Sequence, residues 1–372
     1  MLLKMPLSGG DCVDGAPQRG DAPVSAAATG RYAPIQWGLK HLRIARGEPM
    51  SVGMPPSRRP KGLPANQRAD AKKPLPSSSR PGVSSDRWYA RKLRRRIFAA
   101  LVCAFLSVIV TRVALSTARG QGVDTIFMEA AAKSARRFDP LVQLVTSLVS
   151  VPAIVFVGTL VFLVALARRR PTLAGRAIVM VLGANATTQI AKALLDRPDL
   201  GLSTALPNSL PSGHTTVAMS ITLALVMVAP QWLRAPSAWA GWIWASLMGI
   251  SVMISAWHRL ADVLVAFFIC GAWALALAPI EGRERHAPAM QRAMSIGVLA
   301  FLIVAVLLTI FALAGISLKE ISSPGAYSFG YDAYLESAPW RSRVLALAAS
   351  TWVLSVAGWV INEVDVLCSR RD

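Results

Sequence analysis

Two of the four histidines, His214 and His258, stand where long apolar stretches begin. His258 opens the run Trp257-His258-Arg259-Leu260-Ala261-Asp262. At that spacing Asp262 lies one helical turn beyond the imidazole and on the same face. A carboxylate on one ring nitrogen fixes the tautomer and leaves the other nitrogen free to attack or to take a proton. His214 belongs to Pro211-Ser212-Gly213-His214-Thr215-Thr216. Ser212 reads as an N-cap and Gly213 as a point of close backbone approach, so the free N–H groups there form an anion site. A third stretch, Lys192-Ala193-Leu194-Leu195-Asp196-Arg197-Pro198, adds two cations. Cations and fixed N–H donors together suit phosphoryl transfer, where charge on the equatorial oxygens must be neutralised. Each stretch alone also has a plainer reading: a capped helix start, an interfacial His–Asp pair, or polar glue between helices. His41 and His286 lie in polar, basic surroundings and read as solvated bystanders.

The elements that must bring these residues together are membrane helices. The chain has 372 residues, 53% apolar and 16% charged, with a mean hydropathy of +0.45. That excludes a disordered protein and makes a soluble domain a poor fit, since soluble chains carry about 25% charged residues. Eight segments are long enough to cross about 30 Å of hydrocarbon as helices. They run over 97–117, 146–167, 175–194, 213–231, 237–256, 261–280, 294–316 and 343–362. Backbone polar groups in lipid must be satisfied within the segment, so an all-α, polytopic transmembrane bundle is the expected fold. On segment three, Asn185, Thr188, Gln189 and Lys192 share one face, which serves equally as helix–helix glue or as an approach to an anion.

The chain carries 40 Lys+Arg against 20 Asp+Glu, a formal charge of +20. In an apolar chain such an excess marks cytoplasmic loops and tails, and nucleic acid is not an expected partner. Residues 1–88 read as a disordered, basic, Pro/Gly/Ser-rich cytoplasmic arm, too poor in apolar surface to offset its ordering entropy. Met50 and Met54 offer internal starts, and no cleavable signal peptide is expected. The arm leads into Arg91-Lys92-Leu93-Arg94-Arg95-Arg96, a basic anchor beside the first apolar run. Arg168–Arg170, Arg176, Arg234, Arg283, Arg285, Arg292, Arg370 and Arg371 fall on the same side if every segment spans. Both termini are then cytoplasmic, and His214, His258 and Lys192 meet on the outer face of the plasma membrane. The stretch Asp124–Asp139 reads as an outer loop. Cys12 and Cys368 lie in polar tails, Cys103 and Cys270 in apolar segments; no spacing suggests a metal site.

Taken together, the three stretches resemble the type-2 phosphatidic acid phosphatase and vanadium haloperoxidase superfamily. Its signature is Lys-x6-Arg-Pro, then Pro-Ser-Gly-His, then Ser-Arg-x5-His-x3-Asp. Pro211–His214 match fully, and His258-x3-Asp262 matches the end of the third motif. Arg197-Pro198 come two positions early, and Val252 follows Ser251 where the family has arginine. The resemblance implies a six-helix phosphatase-like core, residues 89–282, followed by two further transmembrane helices and a short tail, residues 283–372. It implies His258 as nucleophile, Asp262 as its orienting partner and His214 as acid and base. Lys192, Arg197, Ser212, Gly213 and Arg259 would cradle the phosphoryl oxygens, without a cofactor. The expected substrate is a membrane lipid phosphate or diphosphate, phosphatidate-like or polyprenyl-diphosphate-like, hydrolysed at the extracytoplasmic face. A phosphotransferase of the same superfamily, a haloperoxidase and a non-catalytic membrane descendant are the alternatives. Nothing in the chain fixes the oligomeric state.

Overall fold

Each apolar run can satisfy its backbone only by closing hydrogen bonds on itself, and a computed structural model of the chain is built of helices accordingly. The structure describes residues 82–133, 135–147, 159, 163, 171–202, 208–280, 288–323 and 331–368. Outside them lie the arm to residue 81, His41, Cys12, Arg168–Arg170, Arg283, Arg285, His286, the tail arginines and nearly all of segment 146–167. Among the described residues there are helices and no strands. In chain order they are α1 (Gly82–Ser116), α2 (Ala118–Ala132), α3 (Ala135–Ser147), α4 (Pro171–Leu194), α5 (Gly213–Val228) and α6 (Gln231–Ile254). There follow α7 (Leu260–Leu277), α8 (Pro288–Leu313), α9 (Leu318–Ile321), α10 (Asp332–Ser337) and α11 (Pro339–Cys368). Six of them, α1, α4, α6, α7, α8 and α11, are long and apolar enough to cross a membrane. The fold is all-α and polytopic.

Segment 213–231 forms a shorter helix than its apolar run suggests. α5 has 16 residues, about 24 Å at 1.5 Å per residue, because Pro230 ends the run and serves as N-cap of α6. α6 therefore starts six residues earlier than hydropathy alone suggests. Arg234 is buried within it, donating from Nη1 to the Cys368 carbonyl at 2.8 Å. That contact corrects the reading of Cys368 as a tail residue: it is the fully buried last residue of α11.

The stretch read as an outer loop around Asp124–Asp139 carries helix over 124–132 and 135–139 instead. Thr117 caps α2, its Oγ1 accepting the Gly120 N–H at 3.0 Å. Ile126, Phe127, Ala130 and Ala131 bury one side. Its charged residues hid this from a hydropathy reading, and α2 is not among the spanning helices.

α7 is the hub, packed by α1, α2, α4, α5 and α11. α11 lies along α8 and also against α2, α5, α6 and α7. Close approach depends on small residues, as membrane interfaces require. A Cβ on Gly358 of α11 would come within 2.6 Å of the Trp242 ring, whose Nε1 donates to the Leu354 carbonyl at 2.7 Å. At the other end of the bundle the basic cluster of α1 caps helix C-termini. Arg96 Nη1 donates to the Ala278 carbonyl at 3.0 Å. Lys92 Nζ donates to the carbonyls of Val366 and Leu367 at 3.1 and 3.3 Å. Arg95 makes a two-pronged ion pair with Glu363. Carbonyls left over at a helix C-terminus are satisfied this way.

Candidate functional site

The site is assembled where α5 and α7 begin and α4 ends. After α6, the N–H groups of Trp257 and His258 both fold back onto the Val252 carbonyl, at 3.1 and 3.2 Å. The position where the family carries arginine is thus a buried valine whose backbone anchors the turn bearing His258. α7 then starts at Leu260, and Asp262 sits in its first turn, where a negative charge suits the positive helix end. His258 Nδ1 lies 3.2 Å from Asp262 Oδ2. The same oxygen accepts the Arg259 N–H at 3.0 Å and the Ser209 hydroxyl. His258 is 7% exposed and Asp262 1%. Three donors on one buried carboxylate fix its orientation and, through it, the imidazole. Nε2 of His258 stays outside this network.

The second histidine arrives from α5. Ser212 is its N-cap, with Oγ accepting from Thr215 N–H and from Thr215 Oγ1. The Ser212 N–H donates to the Asp262 carbonyl at 3.1 Å, so the start of α5 is tied to the first turn of α7. His214 packs on Trp257, ring centroids 5.7 Å apart, and the charges of His258 and Lys192 both act on it. Lys192, at the end of α4, brings Nζ to 4.0 Å from the place a Cβ on Gly213 would take. The polar face of α4 serves both readings the sequence left open. Asn185 bonds Ser220 at 3.2 Å and Thr188 bonds Thr216 at 3.0 Å, while Lys192 ends the stripe at the site. Gln189 is exposed.

The two arginines differ in burial but share a condition. Arg259 is 1% exposed, with Nη1 3.4 Å from Ser209 Oγ and Nε buried without a partner. Arg197 leaves Nη2 buried without a partner. Burial, then the Arg259 charge beside it, pulls Arg197 below the usual guanidinium range. Two neighbouring cations, each with a buried donor unmet, can together receive an anion. Sequence reasoning thus named Lys192, Arg197, Ser212, Gly213, His214, His258, Arg259 and Asp262, and these residues gather at one end of the bundle. It missed Ser209 and Asp124, single polar residues in no motif. Asp124 of α2 accepts the Ala261 N–H on Oδ1 at 2.8 Å. Beside it, a crevice of about 410 Å³ lies between α1, α2 and α7, walled by residues such as Val110, Val113, Phe127, Leu260 and Leu264. Among the described residues no group of histidine, cysteine and carboxylate side chains is arranged to hold a metal ion.

A polytopic helical bundle with a histidine–carboxylate pair beside cations that carry buried, unmet donors has the chemistry to hold an oxyanion. Residues 140–285 match the profile of the PAP2 superfamily. That match supports membership of the type-2 phosphatidic acid phosphatase superfamily. No curated protein and no solved structure matches the chain significantly.

Proposed function

We propose that this protein is an integral-membrane phosphatase that hydrolyses a lipid phosphate or diphosphate at the extracytoplasmic face through a phosphohistidine. The observation that carries the reading is the join of the two histidine motifs. The Ser212 N–H on the Asp262 carbonyl and the His258–Asp262 contact put Pro-Ser-Gly-His and His-x3-Asp in one place. With Nδ1 held by Asp262, Nε2 of His258 attacks phosphorus in line. The P–N bond forms, the P–O bond to the lipid breaks, and His214 gives its proton to the departing oxygen. Water then attacks the phosphohistidine, handing a proton to His214; the P–N bond breaks and inorganic phosphate leaves. A covalent intermediate divides one difficult displacement into two easier ones. Lys192, Arg197, Arg259 and the first N–H groups of α5 neutralise the oxygens.

The face is supported by the run of α1. Its basic N-terminal cluster meets the far end of α7 at Ala278, while Val110 and Val113 near its C-terminus flank Leu260 beside the site. Under the positive-inside rule the cluster is cytoplasmic and the site lies outside. The apolar crevice ends at the same turn, which suits a hydrocarbon tail. Phosphate release from phosphatidate, polyprenyl diphosphate and phosphatidylglycerol phosphate by detergent-purified protein is the test. Turnover of at least one substrate is expected, with a bell-shaped pH profile because one imidazole must be neutral and the other charged. His258→Ala and His214→Ala should each remove it. Full activity in His258→Ala would refute the assignment.

A further inference from the structure

α2 carries none of the three motifs and lies outside the stretch that matches the superfamily, yet it joins the two halves of the anion site. Gln121 and Asp124, three residues apart, share one face of it. Gln121 Nε2 donates to the Pro198 carbonyl at 3.0 Å, one residue from Arg197. Asp124 Oδ1 takes the Ala261 N–H, two residues from Arg259 and one from Asp262. Asp124 is 7% exposed, and its second oxygen, Oδ2, is buried without a partner. The charges facing it are Arg259 and Asp262 from the start of α7 and Arg197 from the α4–α5 connection.

The cluster thus holds three buried atoms with unmet hydrogen bonds: Arg197 Nη2, Arg259 Nε and Asp124 Oδ2. Two are donors, as any anion needs. The third is a carboxylate oxygen, which accepts only. With the two arginines turning their unmet donors to the anion, that acceptor is met by a proton lying between it and the ligand. We propose that Asp124 is a specificity-determining residue that shares one proton with the bound phosphoryl group, favouring phosphate over oxyanions that carry no proton. The same arrangement explains why a carboxylate is tolerated beside a site for negative charge. Burial, then the Asp262 charge, pushes the Asp124 carboxyl up to about 7 against the pull of the Ala261 N–H and the two arginines. A phosphomonoester, fully ionised well above its second pKa of about 6, needs that proton on Asp124 and so binds best below about pH 7, where sulfate gains the same help. Inorganic phosphate brings its own.

The proposal rests on the phosphatase reading only in taking the ligand to be a phosphate, and its test needs no turnover. Binding of inorganic phosphate and of sulfate to the full-length protein is measured by calorimetry at pH 8, where Asp124 is ionised, phosphate keeps one O–H and sulfate has none. Wild-type protein should bind phosphate more tightly than sulfate by about ten- to a hundredfold, the range for a hydrogen bond to a charged group. Asp124→Asn keeps the carbonyl for Ala261 and places an N–H where Oδ2 was. It should bind sulfate at least about tenfold more tightly than wild type and lose most of the preference. Equal binding of the two anions by wild type, no phosphate binding, or an unchanged ratio in a folded Asp124→Asn protein would each overturn the proposal. Loss of lipid hydrolysis with the anion preference intact would instead count against the phosphatase reading alone.

Discussion

At the scale of single residues, the site turns on how Asp262 is held. One carboxylate oxygen receives the Ser209 hydroxyl, the Arg259 N–H and the His258 ring nitrogen. Asp262→Asn puts an amide in this network and weakens the orientation and charge compensation of the imidazole. We expect kcat for lipid-phosphate hydrolysis to fall by about 10²- to 10⁴-fold, the usual span for a general acid–base partnership. KM should change far less; an unchanged kcat would leave Asp262 without its proposed role. His258, Asp262, His214 and Lys192 were legible in the sequence because their spacing relative to helix ends is local. Asp124 and Ser209 were not. A lone carboxylate between Val123 and Thr125 carries no pattern, and its meaning comes from Ala261 and its neighbours, far along the chain. Arg259 was legible as a cation beside the motif. Its burial and its unmet Nε were not, because burial is a tertiary property.

At the scale of elements, long apolar helices were readable because a bilayer demands them and hydropathy records the demand. α2 and α3 were hidden by their charges, and the start of α6 by the basic and proline residues at its head. Packing between elements was also out of reach. The contact of Gly358 with Trp242, with room for no Cβ, joins α11 to α6 in a way neither segment advertises. Gly358→Ala should therefore force the indole or the helix to move. Overpacking of this kind costs about 1–3 kcal/mol. The thermal unfolding midpoint of the purified protein should drop by several degrees. A variant as stable as wild type would mean the interface gives way easily.

At the scale of the whole molecule, the buried Asp124 carboxyl makes stability depend on pH. It titrates near 7 when folded, against 3.8 in its ordinary setting, so between those values the folded state holds the extra proton. Stability is then full below about pH 4 for this group and declines as pH rises through 7. Asp124→Asn should flatten that decline and make the protein more stable than wild type at pH 8. The gain should reach up to a few kcal/mol, since each tenfold change in proton affinity on folding is worth about 1.4 kcal/mol. Equal pH slopes for the two proteins in thermal unfolding would count against it. A different consequence follows from the cations of α1 that close the ends of α7 and α11. Lys92 and its carbonyl partners are separated by 274 and 275 positions, so α1 finishes its bonding only with α11. Until α11 is made, Lys92 and Arg95 have only water and headgroups to meet, and the bundle cannot lock in the order it is made. Assembly is set by the slow capture of distant partners rather than by the quick coiling of each span.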